Sequence, residues 1–116
     1  MRLTEAQKNW TFTSSAGDTG VKTLHGKPAK WMDFSGPATA GKKAGVTILD
    51  HPSNLRHPAP WYVNQQMPYF SPAILFDKPY TLPAHAELAL KYRVLIHDGT
   101  LDKTALDRLW GDFSKQ

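Results

Sequence analysis

Leu88-Ala89-Leu90-Lys91-Tyr92-Arg93-Val94-Leu95-Ile96-His97 is the longest periodic stretch of the chain. Leu88, Leu90, Tyr92, Val94 and Ile96 share one face, and Ala89, Lys91, Arg93, Leu95 and His97 share the other, which is the two-residue period of a β-strand. The stretch predicts a long strand over 86–97. His97-Asp98-Gly99 closes it with turn residues. Beyond the turn, Thr100 or Asp102 can cap a helix in which Leu106, Leu109, Trp110 and Phe113 recur at i, i+3, i+4 and i+7. That stripe is the apolar face of a terminal helix packed on a sheet.

Working back from this strand, residues 44–49 form a small apolar run typical of an interior strand. Residues 29–35 put Trp31 and Asp33 on one face and Lys30, Met32 and Phe34 on the other, a strand with substantial side chains on both sides. Trp10 and Phe12 alternate with polar residues over 8–13, and 14–20 reads as a turn. Short strands are also expected at 21–24, at 61–63 and at 69–76, the last interrupted by Pro72. Strands come first and one helix last, with no repeat or linker. The fold class read from this order is all-β, an antiparallel β-sandwich with one C-terminal α-helix, in a single domain over 1–116.

Composition bounds the function. A chain of 116 residues with 41% hydrophobic content supports one core, and nine prolines with eight glycines suit short elements joined by turns. The net charge of +4 is spread along the chain without a dense basic cluster, so nucleic-acid binding is not expected. The absence of cysteine excludes disulfides, thiolate zinc sites and thiol nucleophiles. Residues 1–10 lack the apolar core of a signal peptide, which reads as a chain that stays in the cytoplasm. Residues 57–76 lack charged side chains but hold four prolines, so no membrane span is expected.

Chemistry is expected in Asp50-His51-Pro52-Ser53-Asn54-Leu55-Arg56-His57-Pro58-Ala59-Pro60-Trp61-Tyr62, an ordered loop stiffened by three prolines. His51, His57 and Asp50 could fold onto a metal, or the histidines could be hydrogen-bonded posts that hold the loop. No tight metal site or other cofactor is predicted. A third reading is a polyol or acid–base site. His51 or His57 would move the proton and Arg56 would clamp an anion or hydroxyl. Asp50, Asn54 and Asp33 would supply polar contacts, and Trp61 and Trp31 flat apolar faces. Arg56 could equally form an ion pair with Asp50 or Asp33. His97 and Asp98 either close a turn or act beside the loop. No nucleophile elbow, P-loop, dinucleotide fingerprint or zincin helix occurs.

Residues 29–36 (Ala-Lys-Trp-Met-Asp-Phe-Ser-Gly), 45–54 (Gly-Val-Thr-Ile-Leu-Asp-His-Pro-Ser-Asn), Arg56-His57-Pro58, 69–73 (Tyr-Phe-Ser-Pro-Ala) and 92–99 (Tyr-Arg-Val-Leu-Ile-His-Asp-Gly) resemble the bacterial family labelled methane oxygenase PmoA. The resemblance runs from about Ser14 into the final helix and covers the carboxy-terminal portion of longer members. It implies a supersandwich fold similar to galactose mutarotase, and an encoding among carbohydrate-degradation genes. Methane oxidation is not carried over, since no spanning segment is present. Asp50, His51, Asn54, Arg56 and His57 are the site residues the resemblance implies. The expected function is carbohydrate-related binding or catalysis on a sugar or sugar acid; the alternative is a non-catalytic structural or interaction domain. The strand over 86–97, if left at an edge, is a template for a homodimer, and a helix that covers the same surface would instead give a monomer.

Overall fold

The computed structural model describes residues 1–116. Its main sheet has four antiparallel strands in the order β1 (Thr11–Ser14), β2 (Trp31–Pro37), β3 (Lys43–Asp50) and β6 (Tyr92–Asp98). A second sheet pairs β4 (Trp61–Asn64) with β5 (Tyr69–Pro72). The helix α2 (Lys103–Ser114) lies on the other face of the main sheet. The architecture is therefore all-β and sandwich-like with one C-terminal helix, and its register follows the alternation of the sequence.

Even-numbered side chains of β2 and β3 point between the sheets. Phe12 stands opposite Phe34, Phe34 opposite Val46 and Met32 opposite Ile48. They form a core with Trp61, Val63 and Phe70 from the small sheet. The Phe12 and Phe34 rings stack at 4.0 Å, and Phe70 meets Phe12 edge-on at 5.6 Å. The odd-numbered side chains Trp31 and Leu49 form a second core with Leu106 and Phe113 of α2. β2 is thus buried on both faces, as the large residues on both sides of 29–35 require. Asp102 caps α2, its Oδ1 accepting from the Ala105 amide at 2.8 Å, a bond worth about 1 kcal/mol.

Three expectations are corrected. Residues Val21–Leu24 form one helical turn, α1, entered through Gly20 at φ 86° and closed by His25 N–H to Val21 O, with Leu24 buried. Four residues hold one turn of either structure, and the Leu24 contact with the core decides between them. β5 stops at Pro72, which has no amide hydrogen to continue the ladder. The strand expected over 86–97 begins only at Tyr92. At Lys91 the amide donates to Asn54 Oδ1 (2.7 Å), while its carbonyl accepts from Asn54 Nδ2 (2.7 Å) and His51 N (3.2 Å). The Asp50–Tyr62 loop thereby ends the ladder, and residues 77–91 run exposed outside any sheet. No helix is long and apolar enough to cross a membrane.

Candidate functional site

Asp50 is the last residue of β3 and has no exposed surface. A carboxylate so placed must find donors, and three converge on it. Asn54 Nδ2 donates to Oδ1 at 2.6 Å, and His57 Nδ1 and the Ala59 amide donate to Oδ2 at 2.7 and 3.3 Å. Its backbone is held as well, with the amide donating to Lys30 O at 2.9 Å and the carbonyl accepting from Trp110 Nε1 at 2.8 Å. Asp50 therefore fixes the loop that follows it and the helix packed above.

The consequence for His57 is specific. With Nδ1–H on Asp50, the ring tautomer and orientation are set, and Trp110 stacks on the ring at 5.8 Å and 10°. His57 Nε2 has no protein partner, yet it is not sealed inside the protein. An imidazole with one nitrogen held by a buried carboxylate and the other open is the arrangement of an oriented general base.

His51 is arranged differently. The Ser53 amide donates to its Nδ1 at 3.1 Å, and its Nε2 is buried without a partner beside Phe113, whose ring is 5.0 Å away. Desolvation lowers its pKa, the nearby positive charges of Lys91 and His57 lower it further, and Asp50 opposes them. His51 is therefore held neutral and shut away from solvent. Of the two histidines expected to move a proton, His51 is thus the buried one.

Arg56 bonds to a different segment of the backbone. Its guanidinium donates to the carbonyls of Ile74 (2.6 Å), Lys78 (2.8 Å) and Pro79 (2.8 Å), and it lies 5.8 Å from the centre of the Tyr80 ring. It forms no ion pair with Asp50 or Asp33. With three of its five donors on backbone oxygens it clamps the 74–80 segment, from a backbone at φ 61° that a side chain rarely adopts. Asn54 ties Asp50 to Lys91, so its amide is fully used.

Trp61 and Trp31 have no exposed surface and offer no face to a ligand. Trp61 Nε1 donates to Ala29 O at 2.9 Å, and Trp31 Nε1 to Asp107 Oδ1 at 2.9 Å. Asp33 lies apart from the loop. It accepts from Thr47 Oγ1 at 2.6 Å and from His97 Nε2 at 2.8 Å, while His97 Nδ1 donates to Gly99 O at 3.0 Å. The His97 ring reaches Asp33 by crossing β3 over Gly45. A Cβ there would stand 2.6 Å from His97 Nε2 and 2.7 Å from Ser35 Cβ.

A cleft of 540 Å³ opens between α2 and the 28–30 segment. It is lined by Ser15, Lys30, Pro58, Lys103, Asp107 and Trp110, among others. His57 is not one of its lining residues, but its chain neighbour Pro58 and its stacking partner Trp110 both form the wall. Lys30 Nζ sits 4.7 Å over the Trp110 ring, and Lys103 pairs with Asp107 at 2.7 Å. Burial raises the pKa of Asp107, but hydrogen bonds from Lys103 and Trp31 and the charges of Lys103 and Lys30 outweigh it, and the net shift is downward. Lys30, Lys103, Asp107 and Trp110 were not legible as site residues. Trp110 read as core because its helix position is an apolar one, and nothing local shows that its ring spans from core to cleft. No group of three His, Cys, Asp or Glu side chains is arranged to hold a metal ion.

No curated protein and no solved structure matches the chain. A family model matches residues 1–111, nearly the whole chain including the Asp50 loop and the entire cleft wall, and the chain therefore belongs to the family of unknown function DUF6807.

Proposed function

We propose that the cleft beneath α2 takes a carbohydrate-type ligand, a sugar or sugar acid, and that His57 is its proton-transfer group. The observation that carries this reading is the buried Asp50 holding His57 Nδ1 at 2.7 Å while Nε2 stays open. Lys30 and Lys103 supply cations for a carboxylate or hydroxyl, and Lys30, by swinging off the Trp110 ring it lies over, frees an indole face of the kind that packs against a sugar ring. The resemblance to the PmoA-labelled family, with its carbohydrate-degradation setting and supersandwich fold, supports the same class. On that resemblance the chain is a single domain equivalent to the carboxy-terminal portion of longer members.

A second reading, a non-catalytic structural or interaction domain, is favoured by one set of contacts. Asn54 and Arg56 place their hydrogen bonds on Asp50, Lys91 and the 74–79 backbone, and His51 Nε2 is buried without a partner, rather than facing a ligand. The readings separate in a titration of the protein with neutral monosaccharides, oligosaccharides and hexuronic acids, followed by amide and indole chemical shifts. Expected are saturable shifts centred on Lys30, Asp107 and Trp110, with the hexuronic acids weakened about tenfold in Lys30→Ala, as for a lost charged hydrogen bond. No saturable shift from any sugar at millimolar concentration would leave the structural reading.

A further inference from the structure

We propose that two copies of this chain join through β6, antiparallel about Leu95, to make one continuous eight-stranded sheet. The other sheet edges are each finished by a neighbouring segment of the chain. β1 is capped by its own following turn, Ser14 N donating to Asp18 O (3.1 Å) and Gly20 N to Phe12 O (3.4 Å). β5 is capped by the first residues of the chain, with Leu3 N on Pro68 O at 2.7 Å and Phe70 N on Met1 O at 2.9 Å. β4 is capped by 25–27, through Gly26 N to Trp61 O (2.7 Å) and Trp61 N to Lys27 O (3.2 Å). Only the outer side of β6 is left bare.

Which groups it leaves bare follows from the register. Gly99 N donates to Lys43 O at 2.6 Å and His51 N to Lys91 O at 3.2 Å, so the odd-numbered residues of β6 bond to β3. The amides and carbonyls of Tyr92, Val94, Ile96 and Asp98 therefore point outward. A two-fold axis at Leu95 places Val94 opposite Ile96 and Tyr92 opposite Asp98 of the second copy. These are the residues with open groups, and each such pair can exchange two hydrogen bonds.

The side chains agree with that pairing. Val94 is 46% exposed and Ile96 85%, on the face where the small sheet stops short of β6. In the dimer each valine meets the other copy's isoleucine, a β-branched cross-strand pair. The features that usually guard an edge are missing: Tyr92–Asp98 holds no proline and no lysine. Its one arginine, Arg93, is turned onto Phe113 (4.8 Å) and Gln116 (2.6 Å). One arginine and one aspartate leave the strand without net charge, so two copies meet without the repulsion expected of a cationic protein.

The chain has no cysteine, so introduced cysteines report the register directly. Val94→Cys and Ile96→Cys, both at exposed positions, are oxidised mildly, separately and as a mixture, alongside sedimentation of the unmodified protein from micromolar to millimolar concentration. The expected result is a mass that rises from 13.0 kDa toward twice that value, and disulfide dimers predominantly of the mixed species. Adding Ile96→Lys to the unmodified chain is expected to weaken the dimer at least tenfold. A mass that stays at 13.0 kDa over the whole range overturns the proposal, and so do Val94→Cys homodimers that form as readily as the mixed ones.

Discussion

Replacing Asp50 by asparagine tests whether the carboxylate orients His57. An amide has the shape of a carboxylate but only one acceptor oxygen, and three donors point at this side chain. With the oxygen kept toward Asn54, the new NH₂ faces His57 Nδ1 and the Ala59 amide. His57 relieves the opposition by carrying its proton on Nε2 and accepting at Nδ1. The Ala59 amide, in a residue with no exposed surface, has no such escape. An orphaned buried donor costs about 1–3 kcal/mol, and loss of charge assistance in the Asn54 bond adds about 1 kcal/mol. The total of about 2–4 kcal/mol is a large share of the stability of a domain this size. At a urea m-value of about 2 kcal/mol per M, the unfolding midpoint falls by about 1–2 M with m unchanged.

The assay has a second readout. Long-range nitrogen–proton correlation spectra distinguish the two neutral tautomers of His57, and the proton is expected on Nδ1 in the unmodified protein and on Nε2 in Asp50→Asn. That inversion leaves a ring in place with its base removed, the change that lowers turnover about 10⁴-fold in Ser-His-Asp triads. The reasoning is refuted if His57 carries its proton on Nε2 before the substitution, or if the urea midpoint moves by less than about 0.3 M.

Two further outcomes are expected. Gly45→Ala drives the His97 ring off β3 and away from Asp33, leaving a buried carboxylate without its imidazole; overpacking and the broken pair together cost about 3–5 kcal/mol, read as a lowered urea midpoint, and a shift within 0.5 kcal/mol of the unmodified protein would sink the packing argument. His51 has a folded pKa below its unfolded value near 6.5, so the unfolded chain binds more protons there; stability is full above that value and falls as pH drops through it, and His51→Gln is expected to flatten this part of a pH series of urea midpoints.

The β architecture was legible because alternation over 29–35 and 92–97 and the apolar run over 44–49 mark strands, and the structure places those stretches as three adjacent strands. The helix was legible from its stripe and its Asp102 cap, although Leu109 at one stripe position stays exposed. Residues 86–91 continue the same alternation without entering the sheet, because pattern describes faces and not partners. The pairing is ended by Asn54, a loop residue far away in sequence. The same limit applies to the site. Asp50, His57 and Asn54 are close in sequence, and a proline-stiffened loop pointed to them. The roles of Arg56, Trp61 and Trp31 depend on carbonyls and cavities assembled from distant segments, which side-chain chemistry alone does not locate.

Helix α2 links the cleft to the Asp50–His57 pair. Only Leu106 and Phe113 of its residues are fully buried, an apolar anchor smaller than a twelve-residue helix commonly has. Two indole bonds supplement it, Trp110 Nε1 to Asp50 O at the end of β3 and Trp31 Nε1 to Asp107 at the middle of the helix. Both involve residues of the cleft wall. The wall thus exists only while the helix is docked, and the Trp110 ring that stacks on His57 belongs to the same docked state. A ligand in the cleft would therefore stabilise the docked helix by RT ln(1 + [L]/Kd), about 2.7 kcal/mol at a hundredfold excess over Kd. The amides of Leu106 to Phe113 are where that linkage becomes visible, as slowed hydrogen exchange on ligand addition. Protection confined to the sheet, with the helix unchanged, would show that the ligand binds somewhere other than this wall.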